Sequence, residues 1–301
     1  ISACLVGSEM CIRDRRNPFA PFDAALAAAF ESNIEAALLE DVGTGDVTGK
    51  LVPEQEFVHA RVVVREAAVL CGAPWFECVM KRLDARIQIS WRYAEGDVMQ
   101  ADSEVCAIEA PARALLTAER TALNFLQLLS GVASATREYT GIIKGTKAAI
   151  LDTRKTLPGL RLAQKYAVRV GGGKNQRLAL YDGILIKENH IAAAGGVSAA
   201  MKAALALNAG VTIQIEVESL AELQDALEAG AESVLLDNFS LDDMRAAVAL
   251  TAGRALLEAS GGVSRESVRV IAETGVDRIS IGALTKDVRA TDYSLRIVGS
   301  K

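Results

Sequence analysis

The sequence predicts an α/β protein built from two different parts, and three observations support this. The 301 residues are 50% hydrophobic and 24% charged, which is enough apolar material for one large core or two ordinary ones. The first part mixes helical segments with strand-like segments that look antiparallel. From about residue 150, strand-like and helical segments alternate, and the strand ends Glu216, Asp237 and Glu258 lie 21 residues apart. This period predicts parallel strands with outer helices, in a barrel or a doubly wound sheet.

The first part opens with an alanine-rich helix at 21–39, and a glycine-containing turn carrying Asp41 and Asp46 ends it. We interpret both aspartates as turn residues. Residues 57–70 alternate as in a strand or a hairpin, and 86–93 and 104–109 are also strand-like. Residues 75–83 have helical spacing. Residues 112–139 read as one long helix, or as two helices joined near Ser130, with leucines along the buried face.

In the second part, six short apolar segments are the predicted strands. They cover 149–152, 183–187, 212–216, 233–237, 255–258 and 278–281. Helices are predicted between them, including 160–170, 219–229 and 242–251.

Composition excludes several functional classes. The net charge of -5 and a pI near 5.3 argue against a nucleic-acid-binding protein, which needs a basic face. No apolar run approaches about 18 residues, so no membrane-spanning helix is predicted. The five cysteines are odd in number and form no C-x-x-C pair, so we expect neither a disulfide framework nor a zinc knuckle, and a cytoplasmic location. Residues 1–16 lack the pattern of a signal peptide and are interpreted as a non-native tail.

The densest group of cations lies between 150 and 190. Arg154 and Lys155 directly follow one predicted strand, Lys187 ends the next, and Arg177 follows the glycine loop 171–173. Arginine binds carboxylates and phosphates in a bidentate manner. These residues therefore predict a pocket for an anion with several carboxylate or phosphate groups.

A polar residue or a glycine lies at or just past the C-terminal end of every predicted strand of the second part. In a βα barrel these ends meet at one mouth, so we expect a single pocket there. Glu216 and Asp237 can hold hydrated magnesium, ribose hydroxyls or a developing cation, or they can form internal salt bridges. The glycine-rich segments after the last two strands are typical of a phosphate cradle: Ser260, Gly261, Gly262, Gly282 and Ala283.

The two histidines do not indicate a nucleophilic triad. His59 lies in a strand of the first part and is interpreted as structural, whereas His190 at the mouth either contacts a ligand or caps a turn. An anion pocket, an acidic sub-site and a phosphate cradle together indicate transfer of a phosphorylated sugar. A class I aldolase-type barrel with Lys187 as Schiff-base nucleophile is the other enzymatic reading.

Several ordered motifs between Leu38 and Ile297 resemble the quinolinate phosphoribosyltransferase family. They are LLEDVGTGDVT, ERTALNFLQLLSG, LDTRKTLPGLR, LIKENH, IEVE, LLDNF, SGG and ISIGALT. The resemblance implies an N-terminal α/β sandwich over 17–127, to which 286–301 returns, and an open (β/α) barrel over 128–285. It also implies a homodimer with shared active sites, possibly assembled further.

The resemblance further implies that quinolinate and phosphoribosyl pyrophosphate react, with magnesium, to give nicotinate mononucleotide, pyrophosphate and carbon dioxide. The implied binding residues for quinolinate are Arg154, Arg177 and Lys187, with Arg120 from the neighbouring subunit. Thr153 and Lys155 would serve the substrate and pyrophosphate, Glu216 and Asp237 the ribose and metal, and the glycine-rich segments the 5′-phosphate. By the same resemblance, Glu216, Asp237 and Lys155 are the catalytic candidates, and Gln176 and His190 line the substrate.

One departure from the family lies in this pocket. The family's asparagine-histidine-arginine triplet reads Asn175, Gln176 and Arg177, so a neutral amide replaces an imidazole. This leaves a paralogue or a non-catalytic protein with an altered pyridine-carboxylate pocket as alternatives. The related molybdenum-transport-associated proteins are one such paralogue, and the intact LIKENH and EVE segments favour the nicotinate branch.

Overall fold

The computed structural model describes residues 17–53 and 55–300, with only the backbone of Ser300, and divides them into two compact units. The first unit contains 17–135, 157–171 and 287–300, and the second contains 136–156 and 172–286. Residues 157–171, which sequence reasoning assigned to the barrel, thus pack with the first unit. The tail expected at 1–16 lies outside the described residues.

The first unit is built on an antiparallel sheet. Its strands are β1 (Phe57–Val64), β2 (Ala68–Val69), β3 (Gln88–Trp91), β4 (Val98–Met99), β5 (Glu104–Pro111) and β12 (Tyr293–Ser300). The main sheet has the order β12-β1-β5-β3, and β2 pairs only with β4. The segment 57–70, expected to be a strand or a hairpin, therefore forms two strands that belong to different sheets.

Helices cover the apolar side chains of this unit. They are α1 (Ala24–Asp41), α2 (Ala73–Leu83), α3 (Ala112–Ile142), whose last turns lie in the second unit, and α4 (Arg161–Val170). Of the two possibilities for 112–139, the structure shows one long helix rather than two helices joined near Ser130. Helix α1 buries residues at four-residue steps, Leu26, Phe30 and Ile34. Phe30 and Tyr166 both contact the Trp75 ring, with centroids 5.0 and 5.3 Å away, so α1, α2 and α4 share one aromatic core.

The two aspartates interpreted as turn residues have different positions. Asp46 lies in the turn after α1 and accepts hydrogen bonds from the Gly49 N–H and the Thr117 hydroxyl, each at 2.8 Å. Asp41 is instead the last residue of α1, and it accepts a hydrogen bond from the Thr121 hydroxyl of α3 at 3.0 Å. Asp46 is therefore a turn residue, as expected, whereas Asp41 ends the helix and connects it to α3.

The second unit is a six-stranded parallel sheet. Its strands are β6 (Ala149–Leu151), β7 (Gly183–Ile186), β8 (Thr212–Val217), β9 (Ser233–Asp237), β10 (Leu256–Ser260) and β11 (Arg278–Ser280). Their order is β6-β11-β10-β9-β8-β7, so the sheet is open between β6 and β7, which are consecutive in the chain. This confirms the predicted α/β class with an open barrel and all six predicted strands.

The connecting helices lie where the 21-residue period requires them. They are α5 (Glu188–Ala194), α6 (Val197–Ala206), α7 (Leu220–Glu228), α8 (Leu241–Thr251), α9 (Val268–Ala272) and α10 (Ala283–Lys286). Ser219 and Ser240 begin α7 and α8 by accepting backbone N–H bonds, which ends the preceding loops at fixed residues. Among the described residues, no helix is both long and apolar enough to cross a membrane.

Candidate active site

All the predicted site residues except Arg120 lie in the second unit, and most of them end or follow a parallel strand, whereas Gln176 and Arg177 lie in the loop that precedes β7. Arg154 follows β6, Lys187 follows β7, and Gly282 follows β11. Asp237 and Ser260 are the last residues of β9 and β10, and they are aligned with each other in the parallel ladder. Glu216 is near the end of β8. The strand-end pattern therefore does bring these residues to one edge of the sheet.

Arg154 and Arg177 are the least satisfied cations of this edge. Each has a buried Nε atom without a hydrogen-bond partner. Arg177 donates from Nη1 to the Gly183 carbonyl at 3.1 Å. Burial, and secondly the charge of Arg154, lower the pKa of Arg177. Two partly buried guanidinium groups that repel each other are well suited to bind an anion.

Lys187 and Glu216 form a salt bridge across β7 and β8. The Lys187 Nζ atom is 2.8 Å from Glu216 Oε2 and 3.1 Å from Oε1. The internal salt bridge left open for Glu216 is therefore present. A Schiff-base lysine needs an apolar, desolvated pocket, whereas 43% of the Lys187 side chain is exposed and the amine faces a carboxylate. The pairing disfavours the aldolase reading.

His190 begins helix α5. The His190 Nδ1 atom accepts a hydrogen bond from the Lys187 backbone N–H at 3.0 Å, and the backbone N–H of His190 donates to the Lys187 carbonyl at 2.8 Å. Of the two roles left open for His190, the structure shows the cap of a turn. The cap fixes the backbone of Lys187, so His190 supports the site through that residue.

The loops after β9 and β10 are locked together at Gly261. Gly261 has a φ of +103°, and a Cβ atom there would lie 2.1 Å from Asn238 Oδ1. Asn238, itself at a φ of +55°, donates its side-chain N–H to Asp237 Oδ2 at 2.8 Å and its backbone N–H to the Ser260 carbonyl at 3.0 Å. Glycine at 261 is therefore required sterically, and it brings the predicted phosphate cradle close to the acidic sub-site.

Thr153 and Lys155 lie against the other half of the predicted cradle. A Cβ atom at Gly282 would be 3.1 Å from Lys155 Cδ and 3.6 Å from Thr153 Oγ1. Thr153 Oγ1 accepts the Lys155 backbone N–H at 3.0 Å, and Thr285 donates to the Lys155 carbonyl at 2.7 Å. The backbone of this loop is thus held, while the Lys155 side chain is exposed and available to a ligand. Ala283 begins α10 next to Gly282.

Sequence reasoning missed a buried polar network below the mouth. Asp152, fully buried, accepts the Asn175 side chain at 2.6 Å and the Gln176 backbone N–H at 2.9 Å. Gln176 Nε2 donates to Gln214 Oε1 at 3.1 Å, and Gln214 Nε2 donates to Glu258 Oε2 at 2.9 Å. One feature of the sequence could have indicated this network. Gln214 and Glu216 are polar residues at alternate positions of the otherwise largely apolar β8, so they lie on the same face of the strand.

Arg120 is not part of this edge. It lies on α3 in the first unit, where its side chain is exposed. Its predicted role needs a second subunit and stays a prediction.

The carboxylates of the edge can contribute to magnesium binding, although they cannot form a metal cage alone. Within the described residues, no group of three or more histidine, cysteine, aspartate or glutamate side chains could hold a metal ion. Magnesium usually binds through one or two carboxylates together with substrate phosphates. Glu216 and Asp237 suit this arrangement, in which the ion arrives with a phosphorylated substrate.

Comparison with known proteins decides the family. The model of the N-terminal domain of quinolinate phosphoribosyl transferase matches residues 46–130, and that of the C-terminal domain matches 132–296. The chain belongs to the quinolinate phosphoribosyltransferase family. The resemblance seen in the motifs is thereby confirmed.

Individual relatives in the family match over nearly the whole chain. The nicotinate-nucleotide pyrophosphorylase (carboxylating) of Mycobacterium leprae is 42% identical over 281 residues, which cover 91% of this chain and 97% of the relative. The chloroplastic enzyme of the same name from Oryza sativa is 37% identical over 285 residues, covering 88% and 76%. The solved structure of the Francisella tularensis nicotinate-nucleotide pyrophosphorylase has a TM-score of 0.87 at 44% identity, and the match covers 90% of this chain and 96% of that one.

Proposed function

We propose that this protein transfers the phosphoribosyl group of phosphoribosyl pyrophosphate to quinolinate and removes a carboxylate. The products are nicotinate mononucleotide, pyrophosphate and carbon dioxide, and the reaction belongs to de novo NAD synthesis. The names of the relatives that span the chain support this activity.

One observation on this chain carries the proposal: the two buried Nε atoms without partners on Arg154 and Arg177. An unsatisfied buried donor costs about 1–3 kcal/mol, and more when charged. Two adjacent carboxylates on a pyridine ring can accept from both guanidinium groups at once. A dicarboxylate therefore suits this pair better than a monocarboxylate does.

The remaining strand-end residues suit the other half of the reaction. Cleavage of the C1–pyrophosphate bond leaves positive charge on the ribose, which the nearby carboxylates of Glu216 and Asp237 would stabilise. Lys155, exposed beside Gly282, would bind the departing pyrophosphate. The pyridine nitrogen attacks C1 once both substrates are positioned, so the chain needs no covalent nucleophile. Loss of the 2-carboxylate as carbon dioxide then leaves an electron pair at C2, which the adjacent quaternised nitrogen stabilises, and C2 takes up a proton from water to give nicotinate mononucleotide.

Magnesium is part of the proposal as a companion of phosphoribosyl pyrophosphate. When bound, it would neutralise charge on the pyrophosphate oxygens, with Glu216 and Asp237 as its protein partners, directly or through water. The backbone N–H groups after Ser260 and at Gly282 and Ala283 would bind the 5′-phosphate.

Assembly and location are also proposals. We propose a homodimer in which the partner's Arg120 completes each quinolinate pocket, as the family resemblance implies. A reducing cytoplasm is the proposed location, and it suits the buried thiols of Cys71 and Cys106.

Substrate selectivity tests the proposal. Purified protein, phosphoribosyl pyrophosphate and magnesium are incubated with quinolinate or, as the matched monocarboxylate, with nicotinate, and nicotinate mononucleotide is quantified. We expect turnover with quinolinate and at least about 100-fold lower kcat/KM with nicotinate, because a second charge-assisted contact is lost. Equal use of both substrates, or binding without turnover, would overturn the proposal.

A further inference from the structure

Three side chains form a hydrogen-bonded chain from the mouth of the barrel into its interior. Gln176, half-buried at the mouth, donates to Gln214, and Gln214 donates to Glu258. Gln214 is 7% exposed and Glu258 is 1% exposed, so solvent cannot replace either partner. The donor-to-acceptor direction of these hydrogen bonds is therefore set by the three side chains and not by water.

The direction of the chain is set at its inner end. Gln214 turns its amide nitrogen to Glu258 Oε2, an oxygen that can accept whether the carboxyl group is ionised or, because burial raises its pKa, protonated. The carbonyl oxygen of Gln214 is then turned towards Gln176, which donates one N–H of its amide nitrogen to it; this nitrogen has a second N–H, and the position of that donor is fixed together with the first. A glutamine amide can otherwise turn by 180° and exchange its donor and acceptor edges.

The identity of residue 176 makes this orientation important. An imidazole stands there in the family pattern, whereas Gln176 has one edge that attracts a carboxylate and one that repels it. Gln176 precedes Arg177, whose guanidinium belongs to the proposed quinolinate pocket. A contact in the fold must hold the amide in a single orientation, and the hydrogen bond to Gln214 provides such a contact.

We propose that Gln214 and Glu258 are positioning residues that fix the side-chain amide of Gln176 for the pyridine carboxylates of quinolinate. The inference rests on the proposed function and deepens it, because it assigns substrate affinity to two residues that do not touch the substrate. Stability does not explain them, since apolar residues of similar size would fill the interior without the cost of burying a carboxyl group.

The test uses methionine, which has a similar shape and cannot hydrogen-bond strongly. In Gln214→Met and Glu258→Met, we expect the KM for quinolinate to rise about threefold to tenfold, the loss of one hydrogen bond. The KM for phosphoribosyl pyrophosphate and kcat should stay within about twofold. The swapped variant Gln214→Glu/Glu258→Gln keeps an acceptor facing Gln176 and a donor–acceptor pair inside, so it should restore the wild-type KM.

A double-variant cycle separates positioning from a structural effect. If Glu258 acts through Gln176, Glu258→Met should have no further effect on quinolinate affinity in a Gln176→Ala background. Titration of quinolinate by calorimetry gives this affinity even if turnover is slow. An equal loss in both backgrounds, a parallel rise of both KM values, or no change in the methionine variants would overturn the inference. Failure of wild type to bind quinolinate would instead overturn the proposed function itself.

Discussion

Among single residues, Arg154 and Arg177 give the strongest indication of a dicarboxylate substrate. The order of strands and cations in the sequence predicted them, because Arg154 comes directly after a buried strand and Arg177 follows the glycine loop that leads to the next strand. Their buried Nε atoms without partners could not be predicted, since burial depends on what the other strands place around them. That burial distinguishes a binding site from solvated surface charge.

Replacing one of these arginines separates binding from stability. Arg177→Ala should weaken quinolinate binding about 10- to 100-fold, because one or two charge-assisted hydrogen bonds are lost. The melting temperature should stay equal or rise, because burial and the charge of Arg154 already disfavour the charged form of Arg177. Calorimetric titration and thermal unfolding check the two effects. A lower melting temperature with unchanged binding would contradict the assignment.

Gly261 gives a steric prediction with a matched control. Gly261→Ala should displace Asn238, lower the free energy of unfolding by about 1–3 kcal/mol and raise the KM for phosphoribosyl pyrophosphate. The control variant is Gly253→Ala. Gly253 also has a positive φ, +78°, but a Cβ atom there would meet nothing within 4 Å, and the residue lies before β10 rather than after it. The control should lose stability from backbone strain while its KM stays unchanged. Equal KM values in both variants would argue against a cradle at Gly261.

At the scale of elements, helix α2 depends on a buried carboxyl group. Glu95, 4% exposed, accepts N–H bonds from Gly72 at 2.7 Å and Ala73 at 3.2 Å, at the N-terminus of α2. The Tyr166 hydroxyl of α4 donates to it at 3.0 Å. The sequence alone could not indicate this role of Glu95, because Tyr166 is 71 residues away.

The carboxyl group of Glu95 gives a pH prediction. Burial raises its pKa from 4.5 to about 7. The folded state therefore binds this proton more tightly than the unfolded chain, and the stability it contributes is complete below pH 4.5 and lost as the pH rises through about 7. Relative to Glu95→Gln, wild type should lose up to about 3 kcal/mol of unfolding free energy over this range. Urea denaturation between pH 5 and 8 checks this, with the exposed Glu40→Gln as control. A flat difference between wild type and Glu95→Gln would contradict it.

The elements themselves were largely predictable, and their partners were not. Short apolar runs that end in charge or glycine fixed the six strands of the parallel sheet to within about two residues. The hydrogen bonds that tie Gln176 to Gln214 and Gln214 to Glu258 span 38 and 44 residues, and no local pattern encodes them. Helix α4 illustrates the same limit: its apolar face indicates that it packs, without indicating that its partner is the first unit.

At the scale of the whole molecule, the proposed sharing of active sites between two subunits can be tested by subunit complementation. At quinolinate concentrations well below their raised KM values, Arg120→Ala and Arg177→Ala should each have little activity as pure proteins. If the partner's Arg120 completes each pocket, a mixed dimer has one site with both substitutions and one site with neither. Random exchange of equal amounts should then restore about one quarter of wild-type activity. No recovery after verified exchange would place Arg120 in its own subunit's site, and full activity of pure Arg120→Ala would place it outside any site.

The most direct test of the whole account is the stoichiometry of a single reaction. Quinolinate labelled in its 2-carboxylate is incubated with excess phosphoribosyl pyrophosphate and magnesium, and labelled carbon dioxide and nicotinate mononucleotide are measured together. We expect carbon dioxide and nicotinate mononucleotide to appear in equal amounts, and the formation of both to depend on Arg154 and Arg177. Pyrophosphate release without carbon dioxide, or no product from a protein that binds phosphoribosyl pyrophosphate, would contradict it.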